Sequence, residues 1–127
     1  MTKKVVVIED DRDILDLIRY ILADEGYEVT GYRHLESIEK IIAENPSVIL
    51  LDNKLQDGYG NALCTLLKSD EKAKNVPVIL VSASGGLAQL AVKCHADAFL
   101  QKPFNLVDLV ALVKHYSETT LESAEQL

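Results

Sequence analysis

Six polar side chains close short apolar runs in this chain. Glu9, Asp10 and Asp11 follow Val5-Val6-Val7-Ile8. Asp52 ends Val48-Ile49-Leu50-Leu51. Ser82 ends Pro77-Val78-Ile79-Leu80-Val81, and Lys102 follows Ala98-Phe99-Leu100-Gln101. Carboxylates gathered in one place repel one another and raise their own pKa values. A divalent cation relieves that repulsion, and an oxygen-only donor set of carboxylates, a backbone carbonyl and water suits Mg²⁺. No His or Cys stands at the end of a run, which argues against zinc. A carboxylate is also a nucleophile able to form an aspartyl phosphate. In phosphoryl transfer the protein mainly positions groups and neutralises charge, and a metal, a Lys ammonium and a Ser hydroxyl are the groups to hold phosphoryl oxygens. Each residue has a plainer reading. Asp is a common turn former, and for Asp52 alone that reading stands level with the chemical one. Ser82 as a strand-end hydroxyl and Lys102 as a solvated lysine are, taken singly, the better readings. An acidic residue at a helix start caps it, but a cap needs one carboxylate, and residues 9–11 offer three.

The runs that carry these groups are apolar throughout and rich in β-branched residues, as strands buried on both faces are. Between them, apolar residues recur at helical spacing. Ile14, Leu17, Ile18, Ile21 and Leu22 mark a first helix, stopped by Gly26. Ile38, Ile41 and Ile42 mark a second, ended by Asn45-Pro46. Leu63, Leu66 and Leu67 mark a third, and Leu87, Leu90, Ala91 and Cys94 a fourth. Leu106, Leu109, Val110 and Val113 mark a fifth, which Asn105 caps with Asp108 three residues on. Residues 27–32 alternate as an edge strand does, and residues 53–61, with Gly58 and Gly60, read as a loop. Five strands alternating with helices imply a parallel sheet covered on both faces. With strand order 2-1-3-4-5, strands one and three meet at the switch point, where a crevice opens at the carboxyl ends. Glu9, Asp10 and Asp52 then converge there, flanked by Ser82 and Lys102. That shared register turns the preference for Asp52, Ser82 and Lys102 toward chemistry.

Composition narrows the function classes. The 127 residues suit one domain, with residues 1–118 as its body and 119–127 as a helical extension or tail. A net charge of −7 argues against a general nucleic-acid binder and against an anionic membrane surface. Cys64 and Cys94 match no metal spacing and fall on apolar helical faces, so buried free thiols in a reducing compartment are expected. No apolar run is long enough to span a bilayer, no signal-peptide core is present, and a cytoplasmic location is expected. Gly58-Tyr59-Gly60 lacks the third small residue of a dinucleotide fingerprint, because Leu63 stands there.

The chain resembles the receiver domain of two-component response regulators over about residues 3 to 117. The matching stretches are Val6-Val7-Ile8-Glu9-Asp10-Asp11, residues 51–60 from Leu51-Asp52 to Gly58-Tyr59-Gly60, Val81-Ser82-Ala83, and Ala96-Asp97-Ala98-Phe99-Leu100-Gln101-Lys102-Pro103-Phe104. The resemblance implies a flavodoxin-like, doubly wound α/β fold. It implies that Asp52 is the phosphoacceptor, and that Glu9, Asp10 and Asp52 hold Mg²⁺ with the backbone carbonyl of Lys54. Lys102 then pairs with the phosphoryl group. Ser82 is the switch hydroxyl, Phe99 is the switch aromatic, and the Lys102-Pro103 bond is cis. Asp11 has no role by resemblance and is left as a helix-start residue.

Some positions depart from the family pattern. Gln56 stands where Pro is usual. His95 stands where Gly is common, and a positive φ there strains it. Lys54 and Ser84 occupy variable positions that tune phosphoryl lifetime, and a lysine at 54 is expected to obstruct the attacking water. The expected function is that of a signalling receiver, stand-alone or cut from a larger protein, rather than an enzyme with an external substrate. A sensor histidine kinase or histidine phosphotransfer protein is the expected donor. A protein partner is expected at the face formed by the fourth helix, last strand and fifth helix, with no nucleic acid and no membrane. Two alternatives are an Asp-nucleophile phosphohydrolase built on Asp11-Arg12-Asp13 and a phosphorylation-independent interaction module on the same fold.

Overall fold

The strand runs Val5–Ile8, Val48–Leu51 and Val78–Val81 have no polar face, and the computed structural model places them in the middle of one sheet. It describes residues 2–55, 58–83 and 85–125, with side chains to residue 118. Gln56, Ser84 and the last two residues of the expected tail lie outside the described residues. The five strands are β1 (Lys4–Ile8), β2 (Glu28–Tyr32), β3 (Val48–Asp52), β4 (Val78–Ser82) and β5 (Ala98–Gln101). All pairings among them are parallel, in the order β2-β1-β3-β4-β5. The expected strand order and doubly wound architecture are therefore present.

The pleat divides the core in two. Val6, Ile8, Ile49, Leu51, Val78 and Leu80 face α2 (Ile38–Ala43), α3 (Gly60–Ser69) and α4 (Leu87–Lys93). Val5, Val7, Val48, Leu50, Ile79 and Val81 face α1 (Arg12–Asp24) and α5 (Leu106–Glu125). Successive strand residues point to opposite faces, so a run buried on both sides must be apolar at every position. No helix among the described residues is long and apolar enough to cross a membrane.

Two helices sit differently from their expected rotation. The buried stripe of α1 is Leu15, Ile18 and Leu22, while Leu17 is 46% exposed. The i, i+3, i+7 spacing of that stripe is helical, but the extra apolar residues 14, 17 and 21 widened the face that could be read from sequence. In α3, Leu63, Cys64 and Leu67 are buried and Leu66 faces solvent. Both cysteines are buried and free, as expected. The segment read as a plain loop contains a two-residue antiparallel ladder, with Lys54–Leu55 pairing Gly58–Tyr59, and α3 starts directly after it.

Three helices end with a left-handed residue. After α1, the Gly26 N–H donates to the Ala23 carbonyl and the Tyr27 N–H to the Leu22 carbonyl, both at 3.0 Å. After α4, the His95 N–H donates to Val92 at 3.2 Å and the Ala96 N–H to Ala91 at 2.9 Å. These are Schellman closures, and they require positive φ at their central residue. Gly26 supplies φ 93° without strain, whereas Asn45 and His95 adopt φ 52° and 62°. The strain expected at His95 is therefore present. His95→Gly is expected to raise stability by about 1 kcal/mol, the scale of left-handed strain in a residue with a Cβ, as read by urea unfolding. An unchanged or lower midpoint would contradict that account.

Candidate functional site

In a parallel sheet all carboxyl ends share one edge. Ile8 of β1 is level with Leu51 of β3, and Asp52 with Val81 of β4. Glu9 thus leaves β1 beside the end of β3, and Lys102 leaves β5 one residue past the Ser82–Gln101 pair. The structure brings Glu9, Asp10, Asp52, Lys54, Ser82 and Lys102 to the walls of one cavity of about 320 Å³. Phe99 is not among its lining residues. It lies on β5, 45% exposed.

Each acidic residue of the first cluster has its own place. Asp11 is the N-cap of α1, and its Oδ1 accepts from the Asp13 and Ile14 N–H groups at 2.9 and 3.1 Å. One carboxylate is enough for the cap, which leaves Glu9 and Asp10 to the cavity. Glu9 is buried, and its Oε2 accepts from the Asp11 N–H at 3.3 Å. One carboxylate oxygen from each of Glu9, Asp10 and Asp52 lies within 4.8 Å of the others. Three such oxygens at that separation form a hard, oxygen-only donor set, which fits a small divalent cation such as Mg²⁺. The plainer readings of these side chains do not account for the convergence.

Lys102 offsets part of this cluster's charge. Its Nζ donates to Glu9 Oε1 at 2.5 Å and to Asp52 Oδ2 at 3.2 Å. Its side chain is about one-sixth exposed, and both carboxylates are almost completely enclosed. Burial pushes the Glu9 carboxyl up to about 7, against the pull of the Lys102 ammonium and with a further push from Asp52. Burial alone would lower Lys102, but the hydrogen bond to Glu9 and the two negative charges outweigh it and raise it. Asp52 Oδ1 also accepts from the Lys54 N–H at 3.2 Å. The Lys102-Pro103 peptide bond is cis.

Three further contacts at this edge were not singled out in the sequence. Arg33, after β2, donates from Nε and one guanidinium nitrogen to the Asp10 carbonyl at 3.3 and 3.2 Å. Asn53 is buried beside Asp52 and accepts from α3. Gly60 packs so closely that a Cβ there would lie 2.2 Å from the Asp52 carbonyl oxygen. Asn53 and Gly60 were visible only as members of a loop, and Arg33 is distant in sequence.

The model of the response regulator receiver domain matches residues 5–114. This chain belongs to that family. A CheY-like receiver domain protein from Methanospirillum hungatei is 28% identical over 97% of this chain and 99% of that one, with a TM-score of 0.87. NtrX from Brucella abortus, solved with ATP, is 30% identical with a TM-score of 0.84. The match covers 98% of this chain but 29% of that protein. TrrA from Thermotoga maritima, solved in complex with Mg²⁺-BeF, is 26% identical with a TM-score of 0.79, over 91% of this chain and 99% of that one. A receiver domain is a signalling module rather than an enzyme that turns over a metabolite, and its acidic pocket is where Mg²⁺ binds in this family. In this receiver domain Lys102 holds two buried carboxylates together. Lys102→Met is therefore expected to cost about 3 kcal/mol of stability, the scale for removing one partner of a buried ion pair. Urea unfolding without divalent cations measures it, and a variant as stable as the parent would contradict the account.

Proposed function

We propose that this receiver domain accepts a phosphoryl group on Asp52 from a sensor histidine kinase or histidine phosphotransfer protein. The observation that carries this reading is the position of Asp52, which ends the central strand with Oδ2 on Lys102 and a carboxylate oxygen within 4.8 Å of Glu9 and Asp10 oxygens. Glu9, Asp10, Asp52 and the Lys54 backbone carbonyl are the proposed Mg²⁺ ligands. The ion would supply charge neutralisation for the phosphoryl oxygens. The chain's own residues do the rest. An Asp52 oxygen forms the new O–P bond as the P–N bond to the donor imidazole breaks. Lys102 offers its ammonium to the incoming oxygens, and the Lys54 N–H restrains the carboxylate that attacks.

The output follows from what borders the cavity. Ser82 is almost wholly buried at its wall. Its hydroxyl is the proposed switch that draws toward the new phosphoryl oxygens, and Phe99 is the aromatic whose rotamer follows. Phosphorylation then biases two packings of α4, β5 and α5. Val92 on α4, 76% exposed, and Phe99 on β5 give that face apolar surface for a protein partner. Residues 1–118 are the proposed receiver body, residues 119–127 its extension, and the cytoplasm its proposed location. The phosphohydrolase reading has no comparable support, since Asp11 is spent as a helix cap and Asp13 lies exposed in the first turn of α1.

Acetyl phosphate with Mg²⁺ is the direct test. The parent should gain the mass of one phosphoryl group, mapped to the peptide holding Asp52, and Asp52→Asn should gain none. Labelling of Asp52→Asn at the parental rate would refute the assignment, and sustained release of phosphate from phosphomonoesters would favour the phosphohydrolase. Lys54 lines the cavity with an exposed side chain. Lys54→Asn should therefore shorten the lifetime of the phosphorylated form several-fold, as followed by mass spectrometry after removal of donor. An equal or longer lifetime would show that the lysine does not shield the phosphoryl group from water.

A further inference from the structure

Helix α3 starts without a cap of its own. Its N-cap residue, Tyr59, makes no side-chain bond to the helix. The first N–H groups of a helix have no intrahelical partner and need one from elsewhere. Two of them find it on a single residue seven and eight positions upstream. The Gly60 N–H donates to the Asn53 backbone carbonyl at 2.6 Å, and the Asn61 N–H donates to Asn53 Oδ1 at 2.9 Å. Asn53 is buried and is the residue between the proposed phosphoacceptor and Lys54.

The approach is close as well as bonded. A Cβ at position 60 would collide with backbone atoms of Asp52, which only glycine avoids. The intervening chain is folded back on itself, with Lys54 opposite Tyr59 and Leu55 opposite Gly58. The end of β3, the loop and the start of α3 are thereby fastened at one point.

We propose that Asn53 is a positioning residue for the metal and phosphoacceptor site. It caps α3 from the end of β3, and so fixes the backbone from which the Asp52 carboxylate and the Lys54 carbonyl are presented. The inference rests on the function proposed above and adds a residue that does not itself touch the ion or the phosphoryl group. Groups that orient metal ligands from behind typically affect metal affinity by about 10- to 100-fold. Asn53→Leu keeps the branched side-chain shape and removes the side-chain acceptor of the Asn61 N–H. Asn53→Asp keeps an acceptor oxygen, and its charge suits a helix N-terminus. Asn61→Pro removes the donor from the other side, at a first-turn position where proline is tolerated.

The test titrates Mg²⁺ against the thermal unfolding midpoint of the full chain, and in parallel against the initial rate of labelling by acetyl phosphate. Asn53→Leu and Asn61→Pro should each raise the half-saturating Mg²⁺ concentration by about tenfold or more. The labelling rate at saturating Mg²⁺ should change far less than that concentration does. Asn53→Asp should return the half-saturating concentration to near the parental one. Folded Asn53→Leu and Asn61→Pro variants that saturate at the parental Mg²⁺ concentration would overturn the inference, as would an Asn53→Asp variant as impaired as Asn53→Leu. A parent that shows neither Mg²⁺ stabilisation nor labelling would instead overturn the function on which the inference rests.

Discussion

The burial of Glu9 and Asp52 against one ammonium is the interaction on which the rest of this site depends. Two carboxylates enclosed by protein are costly unless each finds a charge or hydrogen-bond donor. Here one lysine serves both, at 2.5 and 3.2 Å, from the end of a strand that lies three places from β1 and two from β3. The arrangement is possible only because β1, β3 and β5 are parallel and end at one edge. An antiparallel neighbour would put one of these groups at the opposite end of the sheet. The apolar runs therefore do two things. They drive strand burial, and they set the height at which their first polar residue emerges.

That coupling explains which parts of the molecule could be read from the chain. The unbroken runs ending in Asp52 and Ser82 identify central strands, and their parallel order puts the polar ends together. Glu9, Asp10 and Lys102 follow from the same rule. The rotation of α1 was less legible, since Ile14, Leu17 and Ile21 complete a plausible apolar face while the core takes Leu15, Ile18 and Leu22. The exposure of Phe99 was not legible for a similar reason. A residue on an edge strand has one flank open, and alternation alone does not tell which side a helix covers. The contacts of Asn53 and Gly60 depend on how closely α3 returns to β3, a distance that no local pattern encodes.

The helix ends show how much strain the fold accepts in keeping those positions. Schellman closures turn the chain sharply from α1 into β2 and from α4 toward β5. Gly26 makes the first without strain, while His95 makes the second in a left-handed conformation that a Cβ disfavours. The tight return is followed at once by Asp97, whose Oδ2 accepts from Lys68 Nζ at 2.7 Å and from the Val78 N–H at 2.8 Å. These bonds tie the start of β5 to α3 and to the start of β4. The register of β5, and with it the height of Lys102, is thus held from its amino end.

The same lysine that offsets the charge of Glu9 and Asp52 also occupies part of the cluster. Glu9 cannot give both oxygens freely to a cation while Oε1 holds Lys102 and Oε2 accepts from the Asp11 amide. A divalent ion among these acids would share Glu9 and Asp52 with the ammonium, and the negative charge that keeps Lys102 in place would fall. In the proposed reaction, a phosphoryl group on Asp52 would restore that charge further out in the cavity, where a long flexible ammonium would follow it. On this account the lysine is a counter-ion that moves with the charge. The strand ends and Asn53 are held by backbone hydrogen bonds, whereas the bridge from β5 to β1 and β3 is a single long side chain.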